Sequence, residues 1–375
     1  MPKVLTVLGT RPEAIKMAPI IKVLRDHAAH VQEITCVTGQ HRELVDDVLR
    51  FFDVVPKYDL DLMMPDQALP DLTAKALGAL TEVIVRENPD MVLVQGDTTT
   101  AMAASLAAFY QRVPVGHVEA GLRTHNRYRP FPEEINRRLI SVLATFHFAP
   151  TQRARETLLL EGIPPEQVYL TGNPVVDALL MVLDGEPNAP LPRNPEEAKL
   201  ILVTAHRRES VGRSLQQICQ AVEEIAARNS DVEILYPVHP NPNVHAQVHA
   251  LLSGKERVNL VLPMLYPEFV RVMARSYLIL TDSGGIQEEA PVLGRPVLIM
   301  REETERVEGI LEGNARVVGA DAMKIIAETE RLLHDRDAYE GLSKSGSPYG
   351  DGKAADRIVR IILEKLGNAP ISGGT

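Results

Sequence analysis

KVLTVLGTRPEAIK, residues 3–16, is the stretch on which the fold turns. Residues 3–8 are largely apolar without strict alternation, the pattern of a strand buried on both faces of a parallel sheet. Gly9 ends that run. Thr10 and Glu13 then stand at capping-box spacing, and Pro12 suits a first helical turn. A buried strand, a turn with one glycine and a capped helix over 12–26 make a βα unit; one glycine is too few for a Walker loop. Helix N-terminal amides attract anions, and Arg11 and Lys16 add cationic donors at the same end. The segment is a candidate anion site, against the alternative of a well-capped helix with two solvated cations.

The same alternation runs outward from this unit. Strands are predicted at 33–38, 91–95, 113–118, 146–150 and 168–172, then at 200–204, 232–238, 259–263, 277–281 and 296–300. Helices are predicted at 41–52, 68–87, 99–111, 133–144, 212–229, 284–293, 321–334 and about 352–366. Strands separated by helices predict an α/β fold of two Rossmann-like domains facing a cleft. The polar stretch 184–198 holds four prolines and is the expected linker. Ligands of such sheets sit beyond the carboxyl ends of the strands, so strand-to-helix turns are where chemistry is expected.

Composition narrows the function classes. The 375 residues are 45% hydrophobic and 24% charged, ordinary for a globular protein. Forty basic against 50 acidic residues leave a net charge of −10, which argues against general nucleic-acid binding. Aromatics are 4% and tryptophan is absent, which disfavours a stacking platform for single strands. The lone Cys36 and Cys219 make neither a Cys-x-x-Cys zinc site nor a disulfide scaffold. The opening MPKVLTVLG is not a signal peptide, and no apolar run spans a bilayer, so a cytoplasmic enzyme without membrane contact is expected.

The first half presents three candidate carboxylates at turns. Asp97 directly follows the strand 91–95; the alternative is an N-cap for the helix beginning near Thr98. Glu119 follows the strand 113–118; the alternative is a surface pair with Arg123. Glu133 and Glu134 open a helix where the dipole favours carboxylates, and spacing does not separate the functional one. Clustered carboxylates suit general acid–base work, and metal ligation is the competing use. The second half offers anion binders. His206, Arg207 and Arg208 follow the strand 200–204, and His239 sits in a proline-rigid turn. His245 and His249 share a helix face without a third metal ligand. Most informative is TDSGGIQEE, 281–289: Ser283, Gly284 and Gly285 let backbone amides approach a diphosphate, and Glu289 is placed to accept from ribose hydroxyls. Arg306 follows the strand 296–300 at the same edge.

On these residues the chain resembles, over nearly its whole length, the bacterial non-hydrolysing UDP-N-acetylglucosamine 2-epimerases. The matching stretches are GTRPEAIKMAP (9–19), GDTTTAMAASLAAFYQR (96–112), PVGHVEAGLRT (114–124), PEEINR (132–137), HRRES (206–210), YPVHPNP (236–242), LTDSGGIQEEAP (280–291) and PYGDG (348–352). The resemblance implies the glycosyltransferase B architecture, with residues 1–172 plus a returning helix in 353–375 as one domain and 173–352 as the other. It implies interconversion of UDP-N-acetylglucosamine and UDP-N-acetylmannosamine with no cofactor and no metal, for cell-surface polysaccharide. By position it implies nucleotide contacts at Arg11, Lys16, His206, Phe269, Ser283, Gly284, Gly285, Glu289 and Arg306. It implies acid–base or sugar-site roles for Asp97, Glu119 and Glu133, with His206 counted among the catalytic groups. It also implies a homodimer and activation by the substrate through a second site near Gln40, His41 and His239. Three residues depart from the family pattern: Gln95 for His, Met264 for Gln near the uracil, and Val307 for a proline that would stiffen its loop. None of the three is expected to touch the carboxylates.

Overall fold

The structure is a computed structural model that describes residues 1–39, 42–62, 67–184, 198–205, 212–302, 304, 306–343 and 346–367. The chain divides into two compact units, Met1–Leu180 with Tyr349–Thr375, and Met181–Pro348. Most of the expected linker, 185–197, lies outside the described residues.

The first unit runs β1 (Lys3–Leu8), α1 (Arg11–Asp26), β2 (Gln32–Val37), α2 (Arg42–Phe51), β3 (Tyr58–Asp59), α3 (Leu69–Glu87), β4 (Met91–Gln95), α4 (Thr99–Tyr110), β5 (Val115–Val118), α5 (Glu133–Leu143), β6 (Phe146–Ala149), α6 (Gln152–Leu160), β7 (Val168–Leu170) and into α7 (Pro174–Asp184). Its strands pair in parallel in the order β3-β2-β1-β4-β5-β6-β7. The winding direction reverses between β1 and β4, and in doubly wound sheets that switch point opens a crevice at the strand ends. The register pairs Gln95, last of β4, with Val118, last of β5, so the turns behind them emerge side by side. Both faces of the sheet are covered, which is why the strands read as continuous apolar runs. Helix α4 is mostly buried and shows its partners a run of alanines, Ala101, Ala103, Ala104, Ala107 and Ala108, whose small side chains let Leu80, Val83 and Ile84 of α3 approach.

The second unit runs β8 (Lys199–Thr204), α8 (Arg213–Arg228), β9 (Val232–Pro237), α9 (Pro242–Leu252), β10 (Val258–Val261), α10 (Tyr266–Arg275), β11 (Leu278–Thr281), α11 (Gly284–Glu289), β12 (Val297–Ile299), α12 (Glu308–Leu311), β13 (Ala315–Val317), α13 (Ala322–His334) and α14 (Arg336–Leu342). Its strands are also parallel, in the order β10-β9-β8-β11-β12-β13, with the reversal between β8 and β11. The final helix, α15 (Ala354–Gly367), belongs to the first unit and packs on α1. Each unit is therefore Rossmann-like, and the α/β fold is that of the glycosyltransferase B architecture.

The helix expected over 284–293 ends sooner: α11 stops at Glu289 and a 3₁₀ turn covers Ala290–Leu293. Pro291 has no N–H to give to the i−4 carbonyl, so the α pattern cannot continue through it. Cys36 and Cys219 are both buried and unbridged, and burial pushes each thiol up to about 12, so both are inert apolar fillers. Among the described residues no helix is long and apolar enough to cross a membrane.

Candidate active site

The turn after β1 forms as its residues predict. Thr10 caps α1 by accepting from the Glu13 amide, while Glu13 Oε2 accepts from the amides of Gly9 (3.1 Å) and Thr10 (2.7 Å). Glu13 Oε1 accepts from the Thr98 hydroxyl at 2.7 Å, which ties this cap to the turn after β4. Burial raises the Glu13 carboxyl, against four hydrogen bonds that lower it. Glu13 is thus spent on the scaffold, and the alternative of two solvated cations fails at Lys16. Lys16 is 5% exposed and its ammonium meets Glu119 Oε2 across the strand ends.

Glu119 collects donors from three directions. Besides Lys16, its Oε2 accepts from Gln95 Nε2 at 2.9 Å and from Asn173 Nδ2 at 3.1 Å. Its backbone holds φ of +64°, an unusual conformation for a residue with a Cβ, and the carboxylate stays buried. One alternative falls here and one expectation is corrected. Arg123 does not pair with Glu119; it forks onto Glu161 at 2.9 and 2.7 Å and onto Ser141 at 2.8 Å. Gln95, expected to leave the carboxylates untouched, bonds one of them, because the β4–β5 register puts it beside the turn that carries Glu119. Gly121, two residues on, has φ of +97°, and a Cβ there would lie 2.2 Å from the Ala154 carbonyl oxygen, so only glycine closes the turn.

Asp97 is not the helix cap. Thr98 caps α4 by accepting from the Ala101 amide at 3.0 Å, which leaves the Asp97 side chain for Arg137. Arg137 grips Asp97 Oδ2 through Nε at 2.8 Å and a terminal nitrogen at 2.7 Å. Asn136 donates to the Asp97 carbonyl at 2.9 Å, and His117 Nε2 lies 2.7 Å from the Gly96 carbonyl oxygen. Burial lowers His117 to about 4, so it is neutral at pH 7 and fixes the turn through its ring N–H. The structure also separates the adjacent glutamates. Glu134 is fully buried and accepts from the amides of Thr124 and His125 and from Arg137. That makes Glu134 a scaffold residue and leaves Glu133, half-buried at the head of α5, as the candidate.

In the second unit Ser283 has the extended backbone of an N-cap and opens α11 without a side-chain capping bond. Its amide donates to the Thr281 hydroxyl at 2.9 Å, and that hydroxyl lies 2.7 Å from the Thr204 hydroxyl, so neighbouring strand ends brace the turn. Arg306 is 8% exposed, held by Glu288 through Nε at 2.9 Å, and its guanidinium lies against Gly284. Thr304 locks the same loop onto α11: its hydroxyl donates to Gln287 at 2.7 Å and accepts the Arg306 amide at 3.1 Å. Val307, where the loop was expected to loosen, follows this braced pair. Glu289 Oε1 accepts from the buried Tyr266 hydroxyl at 2.7 Å. Phe269 is half-buried one turn further along α10, and Met264 is half-buried just before it. His239 is exposed, its Nδ1 accepting from the Asn241 amide at 3.1 Å. His206, Gln40 and His41 lie outside the described residues. Among the described residues no group of three His, Cys, Asp or Glu side chains is placed to hold a metal ion.

Three residues of the first-unit site escaped the motif reading. Arg137 sits one helical turn past Glu133 and was legible as an i+4 neighbour, whereas its grip on Asp97 depends on tertiary packing. Asn173 also follows a strand and precedes a helix-opening proline, the same signal that marked the other turns. Gln95 was marked as a departure from the family pattern but not as a partner of Glu119.

The family model for UDP-N-acetylglucosamine 2-epimerase matches residues 23–363. The UDP-N-acetylglucosamine 2-epimerase of Salmonella typhimurium is 52% identical over 96% of this chain and 98% of its own length. The Escherichia coli K12 protein of the same name is 50% identical over 99% of this chain and 100% of its own. The crystal structure of UDP-GlcNAc 2-epimerase from Neisseria meningitidis bound to UDP-GlcNAc matches with a TM-score of 0.93 at 46% identity, covering 96% of this chain and 100% of that one. Full-length agreement in sequence and fold, on top of the paired carboxylates and the glycine-opened helix, shows that the chain belongs to the UDP-N-acetylglucosamine 2-epimerase family and is an isomerase.

Proposed function

We propose that this enzyme interconverts UDP-N-acetylglucosamine and UDP-N-acetylmannosamine by eliminating UDP and adding it back. A base takes the proton from sugar carbon 2 while the bond from carbon 1 to the phosphate oxygen breaks. The electron pair left at carbon 2 closes the carbon 1–carbon 2 double bond of 2-acetamidoglucal, and UDP leaves as the anion. Re-addition of UDP to carbon 1 with protonation of carbon 2 on the opposite face completes the inversion. The observation that carries this reading is the pair of cation–carboxylate contacts at adjacent strand ends, the buried Lys16–Glu119 and the half-buried Arg137–Asp97. A carboxylate fixed at a strand end by a cation is placed to take a proton from sugar carbon 2.

Asp97, Glu119 and Glu133 act on the sugar in this proposal. Arg306, the amides of Ser283, Gly284 and Gly285, and Arg11 stabilise charge that builds on the β-phosphate. The packing of Arg306 against Gly284 supports a shared phosphate contact, since no side chain intervenes. Glu289 takes the ribose hydroxyls, its carboxylate held in place by Tyr266. Phe269 lines the base, and His206 is an added donor. Lys16 contributes chiefly through Glu119, the contact it makes here. A second substrate site near Gln40, His41 and His239, a homodimer, a cytoplasmic setting and supply of UDP-N-acetylmannosamine to cell-surface polysaccharide rest on the family resemblance.

Incubation with UDP-N-acetylglucosamine alone in deuterium oxide tests the reading. The expected product is UDP-N-acetylmannosamine, with the UDP linkage retained and deuterium at carbon 2. Free N-acetylmannosamine would identify a hydrolysing enzyme. A requirement for an acceptor sugar would identify a transferase. Retained protium at carbon 2 in both reaction directions would rule out the elimination.

A further inference from the structure

We propose that Asn173 is a positioning residue for Glu119, and that it links the returning end of the chain to the acid–base machinery. The proposal rests on the epimerase reading above and adds a residue to it.

Asn173 lies between β7 and α7 and is fully buried. Each of its polar groups has an assigned task. Its amide N–H donates to the Tyr349 carbonyl at 2.6 Å. Its side-chain Oδ1 accepts from the Val175 amide at 3.2 Å, closing the turn into α7. Its Nδ2 donates to Glu119 Oε2 at 3.1 Å. These contacts define which way the side-chain amide faces. Rotated by half a turn, it would set its oxygen against the Glu119 carboxylate and its NH₂ against the Val175 N–H, losing both bonds.

The anchor comes from a distant part of the sequence. Tyr349 is 1% exposed and begins the segment that returns to the first unit. Backbones meet closely there: a Cβ on Gly350 would lie 3.4 Å from the Asn173 nitrogen and 3.4 Å from the Gly172 Cα. Just beyond, Asp177 accepts from the Ala354 and Ala355 amides at 3.2 and 2.8 Å and so caps α15. The segment 172–177 is thus clamped along its length by residues 349–355. A side chain held this rigidly sets the carboxylate it touches, because proton abstraction is sensitive to misplacement of about an ångström.

Lys16 and Gln95 share the Glu119 Oε2 atom with Asn173, so a cationic and two neutral side chains donate to one oxygen. The ionisable side chains nearest these donors have their own partners. Glu13 caps α1, Asp97 is held by Arg137, His117 is neutral beside Gly96, and Asp177 caps α15. Asn173 therefore acts on Glu119 directly.

The substitution Asn173→Asp separates positioning from a merely structural role. Aspartate keeps an oxygen for the Val175 amide and the backbone bond to Tyr349, so the turn survives. It replaces the donor to Glu119 with a second carboxylate. A structural role predicts wild-type turnover. The positioning role predicts a roughly 100-fold fall in kcat with KM little changed. Asn173→Ala, which loses both side-chain bonds, should fall at least as far, with a lower melting temperature. The Glu119 carboxyl titration, followed by carbon-13 NMR and assigned with Glu119→Gln, reads the same contact without turnover. It should move upward in Asn173→Asp. Wild-type kcat together with an unmoved titration in the folded Asn173→Asp protein would overturn the proposal. A wild-type enzyme that leaves UDP-N-acetylglucosamine unchanged would overturn the epimerase reading instead, and the titration would still decide the contact.

Discussion

Gly284→Ala carries a defined steric consequence. A Cβ at position 284 would stand 2.9 Å from Cζ and Nη1 of Arg306 and 3.3 Å from Nε. Non-bonded carbons settle near 3.5–4.0 Å, so the guanidinium must retreat by roughly 0.6–1 Å. An arginine tip usually moves at little cost, but this one is anchored: Nε bonds Glu288 Oε1 at 2.9 Å, and Glu288 is fully buried. Retreat stretches that bond to the limit of hydrogen bonding and loosens the pairing of a buried carboxylate. The expected penalty is that of overpacking, about 1–3 kcal/mol, or a melting temperature lower by roughly 2–10 °C for a unit of this size. Gly285→Ala is the control. Among the described residues its nearest neighbour would be Glu289 Oε2 at 4.0 Å, and alanine is the better helix former by about 1 kcal/mol, so it should melt at or above the wild-type temperature. Thermal denaturation of both variants, with Gly284→Ala repeated in an Arg306→Ala background, measures the contact. With Arg306 gone the alanine should cost nothing. A Gly284→Ala protein as stable as Gly285→Ala, or one equally destabilised without Arg306, would refute the argument. Turnover by Gly284→Ala should fall about 100- to 1,000-fold, the usual loss of one charge-stabilising donor.

Glu133→Gln and Glu134→Gln should part company: the first slows turnover with an unchanged urea midpoint, while the second, which disturbs bonds to Thr124, His125 and Arg137, lowers the midpoint. Lys16→Met leaves the Glu119 carboxylate buried without its cation and should cost about 3–5 kcal/mol, part of which Glu119→Gln restores in the double variant. Stability should fall on acidification between about pH 6.5 and 4, where the unfolded chain protonates His117 and the fold, holding it down to about 4, does not. The loss amounts to roughly 3 kcal/mol at most, and His117→Gln should make that part of the pH–stability curve shallower.

Much of the order of elements was legible because it is written in local interactions, although β3, β13 and the helices α6, α7, α9, α10, α12 and α14 were not delimited from the sequence. The run 3–16 contains a strand, its stop and a complete capping box within a span of fourteen residues, and the structure forms each of them. The serine–glycine–glycine turn at 283–285 was legible for the same reason. Where a purely local rule was ambiguous, neighbouring residues competed: Asp97 and Thr98 both qualify as caps, and Thr98 takes the task. The identity of the partners was not legible. Glu119 meets Lys16 from 103 positions away and Asn173 from 54, and Asp97 meets Arg137 from 40. These contacts exist because the sheet order places β1 beside β4 and β4 beside β5, gathering three turns that the chain keeps far apart. Periodicity reports which face of a strand or helix is buried, since burial depends on a residue and its near neighbours. Which charge faces which across strand ends depends on sheet order and register, and those are settled only when the hydrophobic faces of the whole unit are buried together.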